Sequence, residues 1–169
     1  MSAVASIAGR VIRPVADSDS EALIELIETT WGEYPGVILD VDAEEPWLRA
    51  PATYYAEHGR AFWVAIGADG SLHGCIGLRA VTEVPEVTVE LKSLYVAVAG
   101  RRSGLGSGLV GLVEAEARRL GAQRIILWSD TAFLDAHRLY ERLGYARTGE
   151  SRELHDISNT TEFGFAKDL

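Results

Sequence analysis

Residues Glu90–Ser107 read ELKSLYVAVAGRRSGLGS, and the fold turns on how this stretch is parsed. Its front half belongs to a longer run, Val87–Val98, made mostly of residues that suit a pleated, half-buried surface. The pattern of that run breaks near Leu94–Ala97. Its back half sets glycines and two arginines directly before a helical periodicity. From Gly104 to Leu120, the residues Leu105, Leu109, Leu112, Val113, Ala117 and Leu120 fall on one face. Arg118 and Arg119 suit the last turn of such a helix, and Gly121 suits the position just past its end. The stretch is therefore a strand, a short loop and the start of a helix.

Toward the N-terminus, Arg10–Val15 is a short strand that Pro14 places at an edge or an end. A helix follows, capped by Asp17, Ser18 or Ser20, with Ala22, Leu23, Leu26, Ile27 and Trp31 on one face. Residues 32–45 read as a loop rich in acids, and Pro46–His58 as a second helix that Pro51 breaks or starts. Ala61–Gly67 and Leu72–Val81 flank Asp69-Gly70, a strong hairpin signal. Gly74 and Gly77 mark a bulge or a close backbone approach. A turn is expected at 83–86 around Pro85. Toward the C-terminus, Arg124–Trp128 is a buried-type strand, parallel to its predecessor through a right-handed crossover. Leu134–Leu143 is a helix stopped by Gly144, and Ala146–Leu154 with Glu162–Lys167 form a closing pair of strands. The order predicts one α/β domain over residues 1–169, a mixed sheet with helices on its faces.

Composition narrows the function. The formal net charge of −9 argues against nucleic acid, whose phosphates need clustered Lys and Arg. Residues 1–60 hold eleven acidic and four basic side chains, whereas Arg101, Arg102, Arg118, Arg119 and Arg124 make a local basic patch. That asymmetry suits an anionic cofactor on the patch and a neutral or cationic substrate elsewhere. Cys75 is the sole cysteine and reads as a small buried hydrophobe; with four scattered histidines, no metal site is expected. No apolar run approaches the roughly 20 residues of a membrane span. The expected location is the cytoplasm.

Glycines let a backbone turn sharply, and the free N–H groups of a helix start attract anions, so the loop 100–108 suits a pyrophosphate. Three readings compete. The P-loop pattern fails because no Lys-Ser/Thr follows the glycines. A dinucleotide fingerprint occurs as Gly106-Ser-Gly108-Leu-Val-Gly111, with Asp130 near the place of a ribose-binding acid. Its glycines, however, lie inside the helix pattern, and 39 residues after Asp130 are too few for a doubly wound domain. Gly108 and Gly111 are better read as positions where the helix packs closely on the sheet or a cofactor.

The third reading is Arg101-x-x-Gly104-x-Gly106 after a strand ending Leu94-Tyr95-Val96, with Tyr140-x-x-x-Gly144-Tyr145 after the next strand. This resembles the acetyl-CoA signature of the GNAT N-acetyltransferase superfamily, from about Glu90 to Tyr145. The resemblance implies a mostly antiparallel sheet with one splayed parallel pair, opened by a bulge near Ala97. It implies acetyl-CoA as co-substrate and no metal. The backbone of Arg102, Ser103, Gly104, Leu105, Gly106 and Ser107 would hold the pyrophosphate, with Arg101 at the head of the motif. Leu94, Tyr95 and Val96 would border pantetheine, Leu94 and Val96 pairing with it through their backbone. Asp135 and His137 would contact CoA or be solvated. Tyr140 would face the CoA sulfur as acid, or be a core aromatic. Glu90 would be the general base, directly or through water, or a strand residue paired with Lys92. Phe133 departs from the pattern: many family members carry asparagine there to help hold the cofactor.

Amine acetylation needs a proton acceptor for the ammonium, a donor for the leaving thiolate and a donor for the oxyanion, for which a backbone N–H near Val96 would serve. The acidic front half, with Trp31 and Tyr34, and beyond them Trp47, Tyr54 and Tyr55, points to a small cationic amine or an amino acid. A protein N-terminus or lysine is the alternative acceptor, and a CoA-binding sensor without turnover the alternative class. Proteins of the family are often homodimers.

Overall fold

A computed structural model describes residues 5–58, 61–81 and 86–169. The turn expected around Pro85 lies outside the described residues. Eight strands, β1 (Ala5–Ile7), β2 (Arg10–Pro14), β3 (Ala61–Ile66), β4 (Leu72–Val81), β5 (Thr88–Val96), β6 (Arg124–Asp130), β7 (Ala146–Glu153) and β8 (Thr161–Asp168), form one sheet in the order β1-β2-β3-β4-β5-β6-β8-β7. Every neighbouring pair is antiparallel except β5–β6. Four helices flank it: α1 (Ser20–Trp31), α2 (Pro51–Glu57), α3 (Leu105–Arg119) and α4 (Leu134–Arg142). None of the described helices is long and apolar enough to cross a membrane.

Strand β3 is buried on both faces, which is why AFWVAI reads as an unbroken apolar run. Trp63, Ala65, Ile76 and Leu78 join the core under α3, while Phe62, Val64 and Cys75 join the core under α1 and α2. The strand period of two sorts them. Cys75 donates to the Ser93 carbonyl at 3.3 Å, and burial pushes its thiol up to about 12.

Local chemistry corrects several expectations. Strand β1 was not foreseen: Ala8 (φ 50°) and Gly9 (φ 76°) form a two-residue turn that folds it onto β2. Asp19, not Asp17, Ser18 or Ser20, sits at the start of α1. Its side chain does not cap the helix but grips the Arg13 guanidinium at 2.7 and 2.8 Å. Asp17 serves α2 instead, accepting the Thr53 N–H and hydroxyl at 3.0 and 2.6 Å. The expected second helix is a single turn, Pro46–Arg49, followed by α2, which Pro51 starts.

The glycines of α3 divide. A Cβ on Gly108 would stand 2.2 Å from Ile7 Cγ2, so this glycine lets β1 lie against the helix. Gly111 has nothing within 4 Å of that position, so it is not a packing glycine. Gly108→Ala is expected to cost about 1–3 kcal/mol by overpacking. Gly111→Ala, on the exposed side of the same helix, should gain up to about 1 kcal/mol. Urea melts of the two variants check the opposite signs.

The feature that shapes the site is the parting of β5 and β6. They pair at Thr88↔Arg124, Val89↔Ile125 and Glu90↔Ile126, and no further, although both strands continue. Across β5, Cys75 faces Tyr95 and Gly77 faces Lys92, so Ser93 and Leu94 together oppose Ile76. Ser93 takes φ 53°. This bulge bends β5 away from β6. It lies at Ser93–Leu94, earlier than the break expected near Ala97, because the small Ser93 takes up the left-handed turn. Ala97 still donates to the His73 carbonyl at 2.9 Å before the chain leaves the sheet.

Candidate active site

A cleft of about 650 Å³ opens where β5 and β6 part, walled by Leu94–Val96, the start of α3 and one side of α4. Ala97 donates toward β4, so Leu94 and Val96, which turn the opposite way in the strand alternation, present their backbone groups to the cleft. Gly104 (φ 85°) precedes α3 with no side-chain cap. The first N–H to bond within this turn is that of Gly108, to the Gly104 carbonyl at 2.9 Å. The N–H groups of Leu105, Gly106 and Ser107 are therefore the open donors of the helix start, with the positive end of its dipole behind them. Arg102 (φ 56°) and Gly104 curl the loop, and the Arg102 side chain is exposed beside it. These donors fit a diphosphate.

Arg101 is engaged differently. Its Nε donates to the Val96 carbonyl at 3.1 Å, and its fork holds Glu33 at 2.9 and 2.6 Å. The hydrogen bonds from Arg101 hold the Glu33 carboxyl below its ordinary value. Arg101 thus ties the loop to β5 and to the segment after α1. Ser103 does not line the cleft; its hydroxyl donates to the Gly100 carbonyl at 2.7 Å. Asp135 and Tyr34 do line it, and Tyr34 stacks within 4.6 Å of Phe133, the residue in the departing position. His137 lines neither this cleft nor its neighbour. It is 7% exposed, its Nε2 meets the Asp130 carbonyl at 2.9 Å, and its ring lies 5.2 Å from Phe165. Burial lowers its pKa, which keeps it neutral.

A second cleft of about 460 Å³ shares Leu94, Tyr95, Phe133 and Ala136 with the first. Glu90, Tyr140 and Trp31 line it, as do Glu44, Glu45, Asp130, Asp156 and Glu162, against Lys92 and Arg152. Glu90 accepts from Arg79 Nε, with Lys92 Nζ 3.7 Å from its other oxygen. Its side chain is only 3% exposed, so it is a buried ion-paired strand residue as well as part of the wall. Tyr140 is 5% exposed and packs edge-on against Tyr145 and tilted against Phe165, each at 5.9 Å. Burial pushes its phenol up, which keeps the hydroxyl protonated. Arg152 lies 4.4 Å from the Trp128 ring centre and holds Glu162 at 2.7 Å. Trp47, Tyr54 and Tyr55 lie outside both clefts, packed with one another and with Phe62. The front half thus gives the site Trp31 and two glutamates, while its other aromatic area is spent on the core.

Two loops that contribute to the second cleft are tied together. Ile38 N–H donates to Ser158 Oγ at 2.8 Å, and that hydroxyl approaches the Ile38 carbonyl at 3.2 Å. Glu44 accepts the Ile157 N–H at 2.6 Å. The loop after α1 and the loop between β7 and β8, far apart in sequence, are joined, and both contribute carboxylates to the cleft. Nothing in the local sequence of either loop signals that contact.

Two parted strands with a glycine-rich helix start at the mouth of the gap define the structural class of this domain. Residues 23–145 match the model described as the acetyltransferase (GNAT) family, and the chain belongs to that family. It is 32% identical over 132 residues to N-acetyltransferase 8 of Homo sapiens, covering 77% of this chain and 56% of that protein. It is 31% identical over 138 residues to the uncharacterized N-acetyltransferase YjgM of Escherichia coli, covering 80% and 81%. The chain thus spans about half the length of the human relative. Among solved structures, an acetyltransferase of Streptococcus agalactiae superposes with a TM-score of 0.77 at 20% identity, covering 95% of this chain and 99% of that one. The structure of yncA from Salmonella typhimurium with its cofactor acetyl-CoA gives 0.69 at 20% identity, covering 95% and 94%. These structural likenesses speak for the fold.

Proposed function

We propose that this domain is an acetyl-CoA-dependent N-acetyltransferase acting on the primary amine of a small cationic molecule or amino acid. The observation that carries the reading is the second cleft, where six carboxylates face two permanent cations beside Tyr140. That balance favours an ammonium, and a cleft of about 460 Å³ suits a small molecule. Acetyl-CoA, when bound, supplies the thioester carbonyl. Arg102 and the first N–H groups of α3 hold its diphosphate, and Leu94 and Val96 offer pantetheine a backbone edge. The Val96 carbonyl is already shared with Arg101. Tyr140 donates its proton to the leaving sulfur, and a backbone N–H near Val96 donates to the oxyanion. Glu90 fixes Arg79 and Lys92 at the mouth of the splay, where both its oxygens face cations.

A thiol-release assay over a panel of diamines, amino acids, lysine peptides and N-terminal peptides tests this. Small cationic amines should turn over and peptides should not. Absence of acetyl-CoA binding, or of thiol release with every amine, would sink it. Binding without turnover would favour a sensor.

A further inference from the structure

The acidic cleft holds more carboxylates than the reaction needs, and most are committed to the fold. Glu90 is taken by Arg79 and Lys92, and Glu162 by Arg152. Glu44, Asp156 and Asp130 accept the backbone N–H groups of Ile157, Thr160 and Ala132, which shape the loops around the cleft. Glu45 is different. Its Oε2 accepts from a side chain, Trp47 Nε1, and among the described residues no backbone N–H and no ion pair holds either oxygen, so it is the one carboxylate of the six tied neither to loop backbone nor to a cation. The carboxylate thus lines the cleft and is oriented by a side chain, not by the backbone of a loop. We infer that Glu45 is the carboxylate that takes the proton from the acceptor ammonium. The inference rests on the acetyltransferase reading and moves the general base from β5 to the loop before α2.

The surroundings support the task. Burial is the largest influence on Glu45 and pushes its carboxyl up, toward working pH; Glu44 on the same loop and Glu162 from β8 push the same way. The Trp47 N–H and the Lys92 ammonium from β5 oppose them. A base poised near working pH is the efficient one. The step balances as follows. One N–H bond of the ammonium breaks and its proton goes to the Glu45 oxygen. The freed lone pair forms the C–N bond at the thioester carbonyl carbon. The C–S bond then breaks, and Tyr140 donates its proton to the thiolate and recovers one from the nitrogen. Glu45 returns its proton to solvent.

The test combines two readouts. The first is NMR titration of the free protein with ¹³C-labelled glutamate carboxyls. One resonance should titrate above the ordinary value of about 4.3 and vanish in Glu45→Gln. The second is the pH profile of kcat/KM. Glu45→Gln should lower it by about 10²–10⁴-fold at neutral pH and abolish the acid limb. Glu45→Asp should recover part of the rate. Trp47→Phe removes the bond that favours the ionised form, so it should move both the NMR titration and the acid limb to higher pH. A wild-type acid limb that survives in Glu45→Gln, or a Glu45 resonance that titrates in the ordinary range, overturns the inference while leaving an active acetyltransferase. A wild-type protein that neither binds acetyl-CoA nor turns over any amine overturns the acetyltransferase reading itself and this inference with it.

Discussion

Tyr140→Phe is expected to lower kcat by about a hundredfold, within the usual range for loss of a positioned proton donor, with little change in acetyl-CoA affinity. The ring is what the fold uses: it packs edge-on against Tyr145 and tilted against Phe165. Phenylalanine keeps that packing, so the variant should melt near the wild type. What it loses is a hydroxyl that burial holds protonated and that lines the acceptor cleft. Steady-state thiol release measures the defect. A thioester with a more acidic leaving thiol needs less protonation and should recover most of the rate. Full activity of Tyr140→Phe with acetyl-CoA itself would remove the tyrosine from the chemistry.

Arg102→Glu should raise the acetyl-CoA dissociation constant by about a hundredfold or more. A hydrogen bond to a charged group contributes about 1.5–3 kcal/mol, and each 1.4 kcal/mol is about tenfold. Reversing the charge adds repulsion to that loss. Arg102 is exposed at the curl of the loop, so its replacement disturbs little else. Arg101→Gln should weaken binding less, because its guanidinium is already spent on Glu33 and the Val96 carbonyl. Titration calorimetry ranks the two. Wild-type affinity should also fall with added salt, and the Arg102→Glu variant should show a shallower dependence. Equal losses from both arginines would contradict the assignment of Arg102 as the free cation.

The main frame of the fold was legible because its signals are local. The Asp69-Gly70 hairpin, the periodic face of α3 and the glycines at 104, 121 and 144 each lie within a few residues of what they specify. The site was half legible for the same reason. The anion loop is one contiguous stretch, so its residues could be named in order. The second cleft is assembled from β5–β8, α1, α4 and two loops, and no short pattern encodes that meeting. Glu45 therefore looked like one acid in a run of acids, and Arg152 and Trp128 like ordinary strand residues. Tyr34 and Trp31 are close in sequence, yet one lines the first cleft and the other the second, because α1 ends between them. His137 carried an equally ambiguous signal, and burial against Phe165 decides it. Arg101 shows the limit from the other side: the motif marks the position, but the partner Glu33 lies 68 residues away.

The short pairing of β5 with β6 also bears on how the domain holds together. Strands β1–β5 form one plate and β6–β8 another, and three residue pairs are all the ladder that joins them. The side chains of α3 stitch across the same seam, packing with Leu78 of one plate and Ile125 of the other in a single core. A molecule wedged between the plates is then a mechanical part as well as a reactant. Present at a hundred times its dissociation constant, it would add about 2.7 kcal/mol to the cost of unfolding. Its resistance to heat and to proteases should then rise with the supply of whatever molecule fills the seam, which a thermal melt with and without acetyl-CoA checks.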